Sequence, residues 1–117
     1  MSERADHDLL NDIREAVRRI RTYTYAMTYD HFPADLKTQD AVTRNLEIMG
    51  EAAKLLSAGL REKNHEVPWK GMGGVRDRLI HHYFGVNLDI VWDIVTLELP
   101  ALESQVEALL HQGHHGR

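Results

Sequence analysis

The stretch AVTRNLEIMGEAAKLLSAGL (residues 41–60) decides the fold class. Its apolar residues recur every three or four positions, the spacing of one helix face, and they are Val42, Leu46, Met49, Ala53, Leu56 and Leu60. This pattern predicts a helix from about Thr38 or Asp40, either of which is a plausible N-cap, to about Arg61. Gly50 lies in its middle, where glycine costs about 1 kcal/mol relative to alanine. We therefore expect another helix to approach closely at Gly50.

The same spacing predicts helices on both sides of this stretch. Residues 6–28 carry a stripe formed by Leu10, Ile13, Val17, Ile20, Thr24 and Met27. A third helix is predicted from about Val75, with a break at Gly85. A fourth is predicted from about Leu88, its stripe formed by Leu88, Val91, Trp92, Val95, Leu99, Leu102, Val106 and Leu109. Pro100 interrupts this last pattern and predicts a kink or a break near Glu98 to Leu99.

The connections and the absence of strand patterns complete the predicted architecture. Residues 29–37 and 61–74 contain proline or glycine and are predicted to be connections. No segment alternates apolar and polar residues as a strand would. We therefore expect an all-α protein, an antiparallel bundle of four or five helices with no sheet. Trp69 and Trp92 are expected to anchor its core.

Composition excludes several classes of protein. The 117 residues predict a single domain, 1–117, with a frayed tail at 113–117. The chain has no cysteine, which excludes disulfides, thiolate zinc sites and cysteine catalysis. It has no apolar run long enough to cross a membrane, and its first residues are charged where a signal peptide would be apolar, so we expect a cytoplasmic protein. The net charge of −4 argues against a protein held to nucleic acid by bulk charge alone.

The segment GGVRDRLIHHYFGV (73–86) carries the candidate site. On a helix, one narrow side would hold the core-facing residues Val75, Leu79, His82 and Val86. Asp77 and His81 fall almost opposite that side. His82 is therefore expected to lie in the core or an interface, whereas His81 faces outward with a carboxylate one turn behind it.

These outward residues suit attack on an RNA phosphodiester without a metal. Asp77 would orient His81 and raise its pKa, and Arg76 would bind a phosphate. The double glycine before the helix would let an anion approach its N-terminal N–H groups. In this scheme His81 takes the proton of a 2′-OH while Arg76 stabilises the phosphorane. On spacing alone, Arg76 and Asp77 are explained equally well as the solvated start of a helix.

The helical geometry also predicts a dimer. Arg76 and His81 lie about 140° apart on an ideal helix, so one copy does not easily aim both at one point. Ile80 and Phe84 give the helix a second apolar side. Both features are explained if two copies pack about a two-fold axis and build the site in the cleft between them.

The motif Arg76-x4-His81-x-Tyr83 resembles the R-x4-H-x-Y signature of HepT-like toxins in the HEPN superfamily. The segments 43–56, 67–95 and 98–109 are also similar to the family's second helix, its Pro-Trp loop with the motif and Trp helices, and its closing helix. The resemblance therefore covers nearly the whole chain in order.

The resemblance implies a function and a partner. Members are all-α homodimers and metal-independent endoribonucleases, and we expect this chain to cleave RNA by attack of the 2′-OH, leaving a 2′,3′-cyclic phosphate. The family's catalytic arginine and histidine fall on Arg76 and His81, with Asp77 in support, and no cofactor or metal is implied. The implied antitoxin is an MntA-like nucleotidyltransferase that transfers AMP from ATP to the motif tyrosine, here Tyr83. An AMP group beside Arg76 would occupy the anion site and repel RNA.

Several alternatives stay open at this point. The chain could be a non-catalytic helical dimer that only binds a nucleotidyltransferase or a nucleotide. Glu47 and Glu51 could line the cleft. Three arginines on the first helix are either a solvated face or an RNA track, namely Arg14, Arg18 and Arg21. Three histidines near the C-terminus lack a nearby carboxylate and are not expected to bind metal, namely His111, His114 and His115.

Overall fold

A computed structural model describes residues 3–79 and 87–115, with side chains described for 5–79 and 87–112. Throughout these ranges the regular structure is helical and contains no strand, which confirms the predicted all-α class. The elements are α1 (Glu3–Tyr23), a 3₁₀-helix (Phe32–Ala34), α2 (Leu36–Leu55), α3 (Ala58–Lys63), α4 (Trp69–Gly73), α5 (Val75–Leu79), α6 (Leu88–Asp93), a π-helix (Ile94–Glu98) and α7 (Leu99–His115). In the described ranges no helix is long and apolar enough to span a membrane.

The two other long helices, α2 and α7, pack antiparallel to α1. The Asp6 carboxylate, near the start of α1, accepts hydrogen bonds from the N–H and hydroxyl of Ser57, just beyond the end of α2. On the other side, Arg14 contacts Glu107 of α7 and Arg21 contacts Glu103, so α7 also runs opposite to α1. The predicted apolar stripes face inward, and their fully buried members include Ile13, Val17, Ile20, Val42, Leu46, Val91, Leu99 and Val106.

The first helix is shorter at its C-terminal end than its apolar stripe predicts. It begins at Glu3 and ends at Tyr23, whereas the prediction was 6–28. Ala26 has φ 60°, a left-handed conformation that an α-helix of L-residues does not contain. Thr24 and Met27 still lie against the core, because the stripe continues into the turn.

The predicted start of the second helix is wrong. Asp35, not Thr38 or Asp40, is its N-cap, and its carboxylate accepts from the N–H of Thr38 at 3.0 Å and from the Thr38 hydroxyl at 2.8 Å. These hydrogen bonds hold the pKa of Asp35 below its ordinary value, because they stabilise the ionised carboxylate. Asp35 therefore stabilises the fold above the pKa of an unfolded aspartate, and this contribution is lost as the pH falls through the lowered pKa.

The predicted end of that helix, at Arg61, is also wrong. The helix stops at Leu55, and Ser57 caps the separate helix α3 by accepting from the N–H of Leu60. The cause is tertiary: Asp6, only 8% exposed, holds Ser57 from across the bundle.

The predicted connection 61–74 is largely helical. It contains the end of α3 and the whole of α4. Trp69 is buried as expected, and its indole N–H donates to the Asn64 carbonyl at 2.9 Å. Trp92 is half-buried and packs on Phe32, with the ring centroids 5.3 Å apart. This local hydrogen bond satisfies the polar group of the indole, so Trp69 can be buried at the start of α4.

The fourth helix starts as predicted, and near Glu98 to Leu99, where a kink or a break was predicted, the chain changes from π-helix to α-helix without a break. Asn87 caps it by accepting from the N–H of Ile90, and the chain then stays helical from Leu88 to His115. The five residues Ile94–Glu98 form a π-helical segment directly before Leu99 and Pro100. A wider turn accommodates proline, which has no N–H and would clash with a carbonyl in the preceding α-turn.

Candidate active site

Helix α5 presents the first two motif residues to solvent. Val75 and Leu79 are 2% and 1% exposed, which confirms the predicted core-facing side. Arg76 and Asp77 are exposed. Neither side chain has a hydrogen-bond or ion-pair partner among the residues that the structure describes. Among the described residues, Arg76 is thus an exposed cation with which no acidic side chain pairs.

The remaining motif residues, His81 and Tyr83, lie outside the described residues, as does His82. Their predicted roles therefore stay predictions, and so does the second apolar side formed by Ile80 and Phe84. The residues that flank this segment are in direct contact, since the N–H of Asn87 donates to the Leu79 carbonyl at 2.9 Å.

Arg76 lies in a groove of about 530 Å³. The groove is formed where α2 crosses the α4–α5 junction, and α1 closes one side of it. Its walls are formed by Leu9, Asp12, Arg44, Glu47, Ile48, Gly50, Glu51, Ala52, Leu55, Gly73, Val75 and Arg76. The groove therefore joins the motif helix to the Gly-Glu-Ala segment of α2, although the two lie far apart in sequence.

Gly50 allows this crossing, as the sequence predicts. A Cβ atom added there would lie 2.7 Å from the Met72 carbonyl oxygen and 2.9 Å from Cγ1 of Val75. Both distances are shorter than any real Cβ contact, so only glycine lets α2 approach α4 and α5 this closely. The close approach brings the polar face of α2 next to Arg76.

The charged side chains that line the groove differ in their exposure and in whether they form an ion pair. Arg44 and Arg76 are exposed, and no ion pair within the described ranges involves either of them. Glu51 is exposed and lies 3.4 Å from the ammonium group of Lys54. Glu47 is half-buried and has no partner in the described part of the chain. Glu47 and Glu51 thus both line the groove that contains Arg76.

Three N–H groups at or near the start of the motif helix have acceptors within the chain and do not contribute to the expected anion site. Only Gly74 separates α4 from α5, and its N–H donates to the Lys70 carbonyl at 3.0 Å. The N–H groups of Asp77 and Arg78 both donate to the Gly74 carbonyl, at 3.1 and 3.3 Å. These groups are already used within the chain, so the arginine side chains, rather than these amides, are available to an anion.

Arg78 has a structural role that the sequence did not indicate. Its guanidinium donates two hydrogen bonds to Glu98, at 3.1 and 2.8 Å. Hydrogen bonding to this carboxylate raises the pKa of Arg78. The pair links α5 to the π-helix at the surface of the fold. No local signal pairs residues 20 positions apart, which is why sequence reasoning missed it.

Of the three arginines that could form an RNA-binding face on α1, two form ion pairs with α7. Arg14 donates to Asn11 at 2.7 Å and lies 3.5 Å from Glu107, and Arg21 forms an ion pair with Glu103. Arg18 is exposed. Pairing with acidic residues of α7 favours the solvated-face interpretation over an RNA track, because a paired arginine is less available to phosphate.

Within the part of the chain described here, no three acidic or histidine side chains lie close enough together to hold a metal ion. His111 is exposed on α7. The side chains of His114 and His115 lie outside the described set.

Comparison with known proteins points to one family. The family model described as "Ribonuclease HepT-like" matches residues 13–109. A protein of Methanocaldococcus jannaschii named "Putative RNase" is 48% identical over 101 residues, covering 86% of this chain and 84% of the relative. A "Probable ribonuclease HepT" of Thermococcus cleftensis is 40% identical over 107 residues, covering 92% of this chain and 97% of the relative. No solved structure gives a significant match.

Proposed function

Because this chain belongs to the HepT-like ribonuclease family, we propose that it is a metal-independent endoribonuclease and the toxin of a toxin–antitoxin pair. The observation that carries the proposal is Arg76, an exposed arginine with no partner in the described ranges, in a groove that also contains Arg44. Two such guanidinium groups can bind a phosphodiester and stabilise the charge that develops on it during cleavage.

His81 supplies the acid–base chemistry in this proposal, and Asp77 supports it. The 2′-oxygen of RNA attacks the adjacent phosphorus, and the products are a 2′,3′-cyclic phosphate and a 5′-hydroxyl. The nucleophile belongs to the substrate, so the reaction needs proton transfer and charge stabilisation but no metal-bound water.

Incubation of the purified protein with total RNA, with and without EDTA, tests the activity and its metal independence. Cleavage is expected in both samples and is expected to fall by at least about 100-fold in His81→Ala, the usual minimum for loss of an acid–base group. Cleavage that stops with EDTA would contradict metal independence. Intact RNA combined with tight, stoichiometric binding of a nucleotidyltransferase would instead support the non-catalytic dimer.

Neutralisation is proposed to occur by AMP transfer from ATP to Tyr83, catalysed by an MntA-like nucleotidyltransferase. The added phosphate would compete for Arg76 and repel the RNA backbone. After co-expression with the partner, intact mass is expected to rise by one or more AMP units, and Tyr83→Phe is expected to abolish the increase. A wild-type mass that stays unchanged, or an increase that persists in Tyr83→Phe, would refute this step.

A homodimer with the site in the cleft between two copies is part of the proposal. Ile48 and Leu55 are 36% and 61% exposed at the groove that contains Arg76, an apolar surface that a second copy would cover. Leu55→Asp is expected to shift the protein from dimer to monomer in light scattering, because it would bury a charge in that contact. Leu97→Asp is the control, since Leu97 is 72% exposed and does not line the groove. A dimer that survives Leu55→Asp would exclude this face as the contact.

A further inference from the structure

Another groove, of about 500 Å³, lies between α3 and α4 and shares no lining residue with the groove that contains Arg76. Its apolar lining includes Val67 and Trp69, which are 3% and 6% exposed. Its other walls carry four charged or ionisable side chains, namely Arg61, Glu62, His65 and Lys70. Two permanent cations thus share this α3–α4 groove with a single carboxylate, a composition that favours an anionic ligand.

The Arg61 guanidinium has no hydrogen-bond acceptor among the described residues. Its Nε atom is buried without a partner, although most buried polar atoms in proteins are paired. Nε of Arg14 is buried in the same way, but that guanidinium contacts Asn11 and Glu107 through its terminal nitrogens. Lys70 is exposed and likewise has no ion pair in the described ranges. An anion in the groove would give Arg61 the acceptor that these parts of the chain do not provide.

The α3–α4 groove and the groove that contains Arg76 meet at the short helix α4. Trp69 lines the first and Gly73 lines the second, and the five residues of α4 separate them by about 6 Å of helix. The stem of Lys54 lies at this junction, with its Cγ 3.1 Å from the position of a Cβ added to Gly73. Lys54 pairs only with Glu51, in an exposed contact of the kind that contributes little and exchanges readily. Cations therefore follow one another from one groove to the other.

We propose that the RNA strand cleaved at Arg76 continues across Gly73 into the α3–α4 groove, where Arg61 and Lys70 bind phosphates beside the cleavage site. This inference rests on the proposed ribonuclease function and assigns a further part of its substrate-binding surface. A single strand suits this surface, because its backbone can bend to follow two adjacent grooves. Contacts to phosphates position the strand without reading its bases, so this groove adds affinity but no sequence preference.

The proposed dimer leaves this groove to the substrate. The two apolar residues proposed to contact the second copy, Ile48 and Leu55, line the groove that contains Arg76 and do not line the α3–α4 groove. Dimer formation through them and binding of a strand by Arg61 and Lys70 therefore use different surfaces. Substitution of either cation is expected to leave the oligomeric state unchanged in light scattering.

Arg61→Met and Lys70→Met are expected to weaken binding of RNA without slowing the chemical step. KM is expected to rise about three- to tenfold in each variant, with kcat within about twofold, because neither cation touches the reacting atoms. The slope of log(kcat/KM) against log[salt] is expected to become shallower by about 0.7 for each lost phosphate contact. Lys63→Met is the matched control, since Lys63 is an exposed cation of the same helix α3 and does not line the groove. It is expected to keep the wild-type slope.

Thermal unfolding separates loss of a phosphate contact from damage to the fold. Arg61→Met keeps the aliphatic stem and removes no hydrogen bond within the described ranges, so its melting temperature is expected to fall by no more than about 2 °C. If Arg61→Met unfolds more easily, Lys70→Met decides the question, because the Lys70 side chain is exposed. Wild-type KM and salt slope in Lys70→Met would then overturn the proposal.

Neutral phosphates test the contact from the side of the substrate. The substrate is a 2′-O-methyl strand with one ribonucleotide, which fixes the cut, and each neighbouring linkage is replaced in turn by an uncharged methylphosphonate. In the wild type, kcat/KM is expected to fall at particular linkages beside the cut. In Arg61→Met, one of these replacements is expected to have no further effect, because its partner is already absent. Effects that simply multiply at every linkage would contradict a contact between Arg61 and the strand.

Binding of a fully 2′-O-methylated strand, which cannot supply the nucleophile, separates this inference from the proposed function. Binding that depends on Arg61 and Lys70 in a wild-type protein that cleaves no RNA would refute the ribonuclease function but support the groove. Cleavage and binding unchanged in both variants would refute only the groove. Unchanged RNA binding with loss of stoichiometric binding of a nucleotidyltransferase would also overturn the inference, since the groove would then be a protein-docking surface.

Discussion

Arg76→Ala is expected to lower kcat for RNA cleavage by about 100- to 1000-fold, the usual effect of removing one preorganised donor to a developing anionic charge. Arg76 is exposed, and the substitution removes no hydrogen bond or ion pair among the described ranges of the chain. The melting temperature is therefore expected to change by no more than about 2 °C, within the small range typical of surface substitutions. The measurement is steady-state kinetics on a defined RNA, combined with thermal unfolding.

Arg18→Ala is the matched control for this prediction. Arg18 is another exposed arginine, and it lies with Tyr25 and Glu103 in a different groove. It is expected to change kcat by less than about threefold, since it would affect at most nonspecific attraction of RNA. Arg76→Lys is expected to be intermediate, because lysine keeps the charge but loses the planar fork that matches a phosphate. An Arg76→Ala variant that changes only KM would limit Arg76 to binding and contradict its role in the transition state.

Gly50→Ala is expected to lower the free energy of unfolding by about 1–3 kcal/mol, the usual cost of overpacking. The added Cβ would lie 2.7 Å from the backbone carbonyl oxygen of Met72, which cannot rotate away as a flexible side chain could. Alanine favours the helix by about 1 kcal/mol over glycine, so a net loss would show that the clash outweighs helix propensity. For a chain of this length the loss corresponds to roughly 4–12 °C in melting temperature, measured at one fixed protein concentration.

Gly59→Ala separates the steric effect from helix propensity. Gly59 is exposed in α3, and no heavy atom lies within 4 Å of a Cβ added there. This variant is expected to be unchanged or more stable by up to about 1 kcal/mol. If Gly50→Ala were also stabilising, the close crossing of α2 with α4 and α5 would be refuted, and with it the placement of Glu47 beside Arg76.

Local patterns predicted most of the helical segments, and they failed wherever a distant residue set a boundary. The burial of Val75 and Leu79 follows from helical spacing, because a helix buries residues three and four apart on one side. The cap at Asn87 follows from a local hydrogen bond. The end of α2 at Leu55 is not predictable in this way, since there the side chain of Asp6, 51 positions away in the sequence, accepts hydrogen bonds from Ser57.

The family was also predictable, because the order of its motif segments is itself a property of the sequence, and the comparisons confirmed the resemblance. Which charged residues lie close together in the folded site could not be predicted from the sequence. In the sequence Arg78 resembles a second candidate phosphate ligand beside Arg76, and only the folded chain shows that its guanidinium is paired with Glu98. Glu47 and Glu51 look alike in the sequence, and only the folded chain distinguishes them, because Glu47 is half-buried whereas Glu51 is exposed and lies 3.4 Å from Lys54.

The sequence alone determined the helical class, the apolar stripes, the close approach at Gly50 and the family, because each of these depends on residues a few positions apart or on their order. The tertiary structure decided which charged residues share a groove. Glu47 and Arg76 lie in one groove because α2 crosses the α4–α5 junction at a glycine. Three other arginines form ion pairs with glutamates of the π-helix or α7, namely Arg14, Arg21 and Arg78. Charge pairing across a fold depends on distances between helices, and spacing along the chain does not contain those distances.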